Sequence, residues 1–232
     1  MTQQQQMMTY TSKMPCPSIG ISAELCKTGS KLRKKKGTPC HKCYAMRGNY
    51  LYPSVKNKQA RVLEFMQSPD FVTRMTGMIM STGNPHFRWF DSGDSQSVQM
   101  CLDIIAVCEA TPFVSHWIPS KEWAMWSKAI GLYGKPLPDN VCLRLSMPKD
   151  DQAPAGKHPY TSSTFTDYST PAFTGDASEC PAESHKELYG SYTCGPCRMC
   201  WDKSIRNISY PKRYDGAKPR RTVNINSVNT GE

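Results

Sequence analysis

The sequence predicts an α/β protein: a partial βα barrel or small parallel sheet, flanked by two cysteine-rich metal-binding segments. Three observations carry that expectation. Strand-like and helix-like segments alternate through the middle of the chain, each strand runs into a cluster of polar residues, and a group of cysteines stands on either side. A βαβαβ alternation favours a parallel sheet, because each crossover helix packs back onto the strands it connects.

The elements follow in chain order. Residues 1–13 read as a flexible leader, since Gln3 to Gln6 offer nothing to bury. Residues 14–53 form the first cysteine segment and are loop-rich. Residues 54–82 carry helical periodicity: Val55, Val62, Phe65 and Met66 recur near a 3.6-residue period, Pro69 interrupts, and Phe71, Val72, Met75, Met78 and Ile79 make a second apolar face. That methionine stripe reads as core. A strand is expected over 86–90, ending in Asp91-Ser92-Gly93-Asp94, and a helix over 98–110. A second strand over 113–118 ends in Pro119-Ser120-Lys121-Glu122, with a helix over 122–132. A third over 141–145 ends at Ser146, and a fourth over 161–165 ends near Asp167. Residues 168–213 form the second cysteine segment and 214–232 a polar tail. The chain therefore reads as one domain, 14–213, whose helices and βα units occupy 54–167.

In parallel sheets, functional groups collect at the carboxyl ends of strands. Asp91, Asp94, Lys121 and Ser146 are thus the candidate catalytic residues, with Ser92 and Gly93 as candidate cofactor contacts. The aspartates suit a ligand amine or ribose, and Lys121 suits a carboxylate or phosphate. Asp-Ser-Gly-Asp is equally good turn and helix-capping chemistry, and the two roles are compatible.

The cysteines are the most specific signal. Cys26, Cys40 and Cys43 read C-x13-C-x2-C, and Cys180, Cys194 and Cys197 repeat that spacing, extended by Cys200. Cys16 lies upstream and completes a first group of four. Polar residues at the start of the chain and the absence of a long apolar segment point to the cytoplasm, with no membrane association. In a reducing compartment, grouped thiols read as metal ligands rather than disulfides. The dense C-x2-C-x2-C of Cys194, Cys197 and Cys200 favours an iron–sulfur cluster of the 4Fe-4S type, while zinc remains open on thiolate spacing alone. If Cys16 does not ligate, the first group would leave one iron open. Cys101, Cys108 and Cys142 read as small buried hydrophobes, and the four histidines outside the Cys40–Cys43 pair take no ligand role.

The 232 residues carry a net charge of +10, concentrated in KTGSKLRKKK at 27–36 and KRYDGAKPRR at 212–221. Such runs suit polyanions, either nucleic acid or nucleotides, or an acidic host protein, and they equally suit a solvated surface.

Residues 40–50 (CHKCYAMRGNY), 88–94 (RWFDSGD), 119–121 and 194–201 (CGPCRMCW), the last followed by Ile208-Ser209-Tyr210-Pro211, resemble the phage and prophage gene product 88 family. The resemblance spans about residues 14–213 and implies a viral origin and a host-cytoplasmic location; it brings no activity with it. A more distant similarity of layout is to radical S-adenosylmethionine enzymes, which pair a partial barrel with an N-terminal three-cysteine cluster. The diagnostic C-x3-C-x2-C is absent here. Two functions are thus expected: a phage iron–sulfur protein, redox or radical S-adenosylmethionine-like, acting on a nucleotide or nucleic acid; or a zinc-stapled protein that binds nucleic acid or a host protein without catalysis.

Overall fold

A computed structural model of the chain describes residues 7–173, 177–182 and 184–212. The glutamine-rich start, most of the second basic run and the polar tail lie outside the described residues. Seven strands form one open, fully parallel sheet: β1 (Ser18–Ile19), β2 (His86–Trp89), β3 (Ser115–Ser120), β4 (Val141–Ser146), β5 (Thr161–Phe165), β6 (Ala177–Glu179) and β7 (Asn207–Pro211). Their order is β1-β2-β3-β4-β5-β7-β6, so the sheet does not close into a barrel. The helices are α1 (Lys27–Arg33), α2 (Pro53–Met66), α3 (Phe71–Ser81), α4 (Val98–Ala110), α5 (Trp123–Tyr133) and α6 (Ser184–Tyr189).

Local chemistry explains the boundaries. Pro53 opens α2, where its missing N–H costs nothing. Ser97 caps α4 by accepting from the Met100 amide at 3.0 Å. Gly134, at φ 73°, ends α5 in the left-handed conformation that glycine adopts without penalty. The third strand differs from expectation: β3 begins at Ser115 and runs through Pro119 to Ser120, because Thr111 and Val114 form a turn (Val114 N to Thr111 O, 3.0 Å) that holds Phe113 out of the sheet.

Strand alternation divides the sheet into two different faces. Phe87, Trp89, Ile118, Val141, Leu143 and Leu145 share one apolar core with Val62, Phe65, Phe71, Met75, Ile104, Ile105 and Trp126 from helices α2 to α5. The methionine stripe of α3 is part of that core. Within it, His116 is buried. It accepts from Trp89 Nε1 at 3.2 Å through Nδ1 and meets Thr111 Oγ1 at 2.8 Å through Nε2. Burial pushes its pKa down to about 3, so the ring is held neutral.

The other face carries Arg88, Trp117, Cys142 and Arg144, which are aligned by the parallel register or by two-residue alternation. Here Cys16, Trp117 and Trp201 pack together with Met14 and Cys200. Trp201 donates to the Phe87 carbonyl at 2.9 Å. Arg144, fully buried, donates to the carbonyls of Met199, Cys200, Asp202 and Ile205 at 2.6–3.0 Å. Residues 199–205 of the second cysteine segment therefore lie on the face opposite helices α2 to α5, held by the Arg144 guanidinium and by Trp201.

Candidate metal centre

The carboxyl end of β2 is a tight reversal. Phe90 and Gly93 have φ of 52° and 76°. A Cβ on Gly93 would lie 2.4 Å from Ile21 Cγ1 and 2.7 Å from the Ile21 carbonyl oxygen, so only glycine fits. That close approach laces the chain leaving β1 to the end of β2: Asp91 N donates to Ile19 O at 3.1 Å and Ile21 N to Ser92 O at 3.0 Å. Cys26 follows five residues later and opens α1.

Glu122, at the end of β3, fixes the other side. Its carboxylate accepts from the Thr28 amide and the Thr28 hydroxyl, each at 2.8 Å, and so caps the start of α1. Gly29 then lets two thiols converge. A Cβ there would sit 3.6 Å from Cys26 Sγ and 3.7 Å from Cys40 Sγ. Cys43 joins through a turn in which its amide donates to the Cys40 carbonyl at 3.2 Å. Lys212 anchors the approach to Cys40 by donating to Thr38 O at 2.6 Å and to Asp150 at 2.5 Å.

The electrostatics are in line with this placement. Burial pushes the Cys26 thiol up to about 12, and negative charge on Asp94, Cys40, Cys43 and Glu122 adds to it. Burial also raises Cys40, with Lys121 acting the other way and Cys43 and Asp94 adding. Asp94 accepts from Ser120 Oγ (2.6 Å), the Lys121 amide (2.7 Å) and the Ser95 amide (2.8 Å). Its pKa is nevertheless pushed up to about 6, because burial outweighs those three bonds. Three thiols, two carboxylates and Lys121 thus share one end of the sheet.

Cys16 stands elsewhere. It was expected with Cys26, but it precedes β1 and lies on the same face as Ser18 and Arg88, whereas Cys26 follows the carboxyl end of that strand. Its thiol is raised to about 12 by burial, eased by Arg88 and Arg198 and raised further by Cys194. Around it lie the C-terminal cysteines. Cys180 interacts with Cys194 and Cys197. Cys200 interacts with Cys180 and Cys194, and its sulfur lies 3.4 Å from the Tyr210 hydroxyl. Cys194 Sγ sits 3.7 Å from Met14 Sδ. Cys16 thus lies nearer to the C-terminal cysteines than to Cys26, packed with Cys200 against Trp117 and Trp201. All eight are free thiols. Among the described residues, no three His, Cys, Asp or Glu side chains already converge at metal-binding geometry.

The side chains of Asp91, Ser92 and Ser146 are taken up by internal hydrogen bonds. Asp91 accepts from Ser18 Oγ at 2.8 Å. Ser92 accepts from Gln59 Nε2 at 2.9 Å and donates to Ile21 O at 3.0 Å. Ser146 meets Ser162 Oγ at 2.9 Å. Sequence reasoning missed Arg88 and Glu122. Arg88 lies over Trp117 at 4.7 Å and between the groups: Tyr44, Asp91, Tyr210 and Cys200 all draw its charge. Its Nε is buried with no hydrogen-bond partner among the described residues. The signal for Glu122 was its place directly after Lys121 at a strand end.

The segments that carry the family resemblance meet around these residues. Tyr44 donates to the Asp91 carbonyl, Lys121 N to Asp94, and Trp201 to the first residues of β2. The model of the Gene product 88 family matches residues 1–203. The chain belongs to the Gene product 88 family. It is a family of phage gene products. The match covers the whole sheet except β7 and includes both cysteine groups. No curated protein and no solved structure matches the chain. Nothing in these comparisons supports the similarity of layout to radical S-adenosylmethionine enzymes. No helix among the described residues is long and apolar enough to cross a membrane.

Proposed function

We propose that this phage protein is an iron–sulfur protein acting in redox chemistry on a nucleotide or nucleic acid. In this reading Cys26, Cys40 and Cys43 hold one cluster at the carboxyl edge of the sheet. Cys180, Cys194, Cys197 and Cys200 hold a second, with Cys16 packed beside it. The observation that carries the proposal is the three-thiol group beside Asp94, Glu122 and Lys121, at the end of a parallel sheet where ligands bind in such folds.

The donor set fits such a group. Buried thiols that raise one another's pKa are costly as bare thiolates, and a bound metal supplies the compensating charge. Three protein thiolates leave a cubane cluster one iron without a protein ligand, whereas four close it. When bound, the first cluster would supply electrons. Lys121 would hold an anionic substrate group near it, and Asp94, with a pKa near 6, would take or give a proton at its carboxylate.

A second reading has its own support. Asp91, Ser92, Asp94 and Ser146 all spend their side chains on internal hydrogen bonds, as purely structural strand ends would. Zinc in both thiol groups would then staple a binding protein for nucleic acid or a host protein. Oxygen-free purification followed by absorbance, iron, acid-labile sulfide and zinc analysis separates the two. A brown protein with labile sulfide supports the cluster reading. A colourless protein that keeps zinc after iron reconstitution overturns it.

A further inference from the structure

Residues 25–58 hold ten Lys and Arg and no Asp or Glu, so this one segment carries a charge equal to the +10 of the whole chain. The remainder is electrically balanced. Several of the ten are tied down: Arg33 donates to the Ala23 carbonyl at 2.8 Å, Lys58 to the Met8 carbonyl at 2.7 Å, Lys56 to the Glu24 carboxylate at 3.1 Å and Arg47 to the Lys42 carbonyl at 3.1 Å. Lys27, Lys34, Lys35, Lys36 and Arg47 are exposed.

The same segment displays apolar surface. Leu25 is 42% exposed, Tyr44 53%, Leu51 50% and Tyr52 58%. These residues are neighbours in space. The 3-10 turn Ala23–Leu25 touches the turn Tyr44–Met46, which touches the turn Gly48–Leu51, which abuts the start of α2. The Tyr44 and Tyr50 rings meet edge-on with centroids 5.7 Å apart. Lys56 reaches back to Glu24 at 3.1 Å and ties α2 to the first turn.

We infer that this face binds single-stranded nucleic acid, with bases stacking on Tyr52 and Tyr44 and the lysines of 27–36 following the phosphates. Aromatic rings left open to solvent within a cationic surface suit unpaired bases, since every base has a stacking face. A duplex offers no free base faces, and the seven residues of α1 are too short to read a groove along their length. The face borders Cys26, Cys40 and Cys43, so a strand held here passes the three-thiol group. This inference rests on the nucleic-acid reading above and names its substrate class.

The test uses the full chain, purified without oxygen, and fluorescence anisotropy with a labelled oligothymidylate, a duplex of equal length and a thymidine mononucleotide. The single strand should bind tightest. Tyr52→Ala should weaken it about 10-fold, the worth of one base stack, whereas Tyr52→Phe should retain it. Replacing Lys34, Lys35 and Lys36 together by Gln should flatten the log–log salt dependence by about 2, at roughly 0.7 per lost phosphate contact. Circular dichroism and metal content would confirm that each variant is folded. Equal binding by wild type and Tyr52→Ala, tighter binding of the duplex, no binding at low salt, or stronger binding to anionic vesicles would each overturn the inference. None of these results bears on the iron and sulfide analysis, so the two readings fail separately.

Discussion

Arg144 offers the most direct perturbation of the second cysteine layer. Its guanidinium is fully buried, faces no carboxylate at salt-bridge distance among the described residues, and donates to four carbonyls between Met199 and Ile205. Hydrogen bonds to a charged donor contribute about 1.5–3 kcal/mol each. Four of them set an upper bracket, and relief of the guanidinium's desolvation offsets part of the loss. Arg144→Met should therefore cost about 3–5 kcal/mol, and Arg144→Lys less, because an ammonium still donates to some of the four acceptors. Urea unfolding followed by tryptophan fluorescence reads this as a fall in the midpoint. Trp201 is a built-in probe, since it follows Cys200 in the same loop. Thiol alkylation provides a second reading: Cys200 should label faster in the methionine variant. A loss below about 1 kcal/mol, with Cys200 no more reactive than before, would refute the view that this side chain is a main anchor of residues 199–205 on the sheet.

Three further predictions follow from the same structure. Gly93→Ala should destabilise by about 2–4 kcal/mol, because its new Cβ meets Ile21 Cγ1 at 2.4 Å at a positive φ; thermal unfolding would show it, and a change under 0.5 kcal/mol would contradict the packing. Glu122→Ala should uncap α1, cost about 1 kcal/mol, and speed alkylation of Cys26 and Cys40, measured by mass spectrometry. His116, with a folded pKa near 3 against an ordinary 6.5, binds its proton less readily folded than unfolded, so stability falls as pH drops from about 6.5 toward 3, by up to about 1.4 kcal/mol per pH unit. Asp94, raised to about 6, acts with the opposite sign over part of that range. The difference between wild type and His116→Gln isolates the histidine: urea midpoints across pH should separate in slope, and parallel profiles would contradict a buried neutral ring.

Much of the fold was legible because the central strands are apolar and bounded by turn residues. Strands β2, β4 and β5 fall where alternation and their polar ends placed them, and the break at Pro69 separates α2 from α3 as expected. The edges were not legible. β1 has only two residues, and β7 buries Asn207 and Ser209, whose side chains bond one another at 3.1 Å rather than following an apolar pattern. Helix α1 was hidden inside a lysine-rich run that shows no apolar face. At the site, the thiol spacing pointed to Cys26 and Cys40, whose sulfurs both lie beside Gly29, but it set Cys16 with them, whereas the structure packs Cys16 against Trp117 and Trp201. Nearness in sequence to Cys26 concealed that β1 runs between them and carries them to different regions of the sheet. Arg88 was invisible for a related reason: nothing in a strand sequence reveals what a guanidinium will face once a distant loop folds over it.

In the proposed function, three thiols at the carboxyl edge and a separate C-terminal set each hold an iron–sulfur cluster. The most direct measurement is iron and acid-labile sulfide per chain in oxygen-free wild type, Cys43→Ser, Cys197→Ser and Cys16→Ser. The Cys43 and Cys197 variants should each lose one cluster's iron and sulfide while the other cluster stays, and the Cys16 variant should keep both. Zinc without sulfide in wild type after iron reconstitution, or loss of iron from the Cys16 variant in step with Cys43, would contradict it.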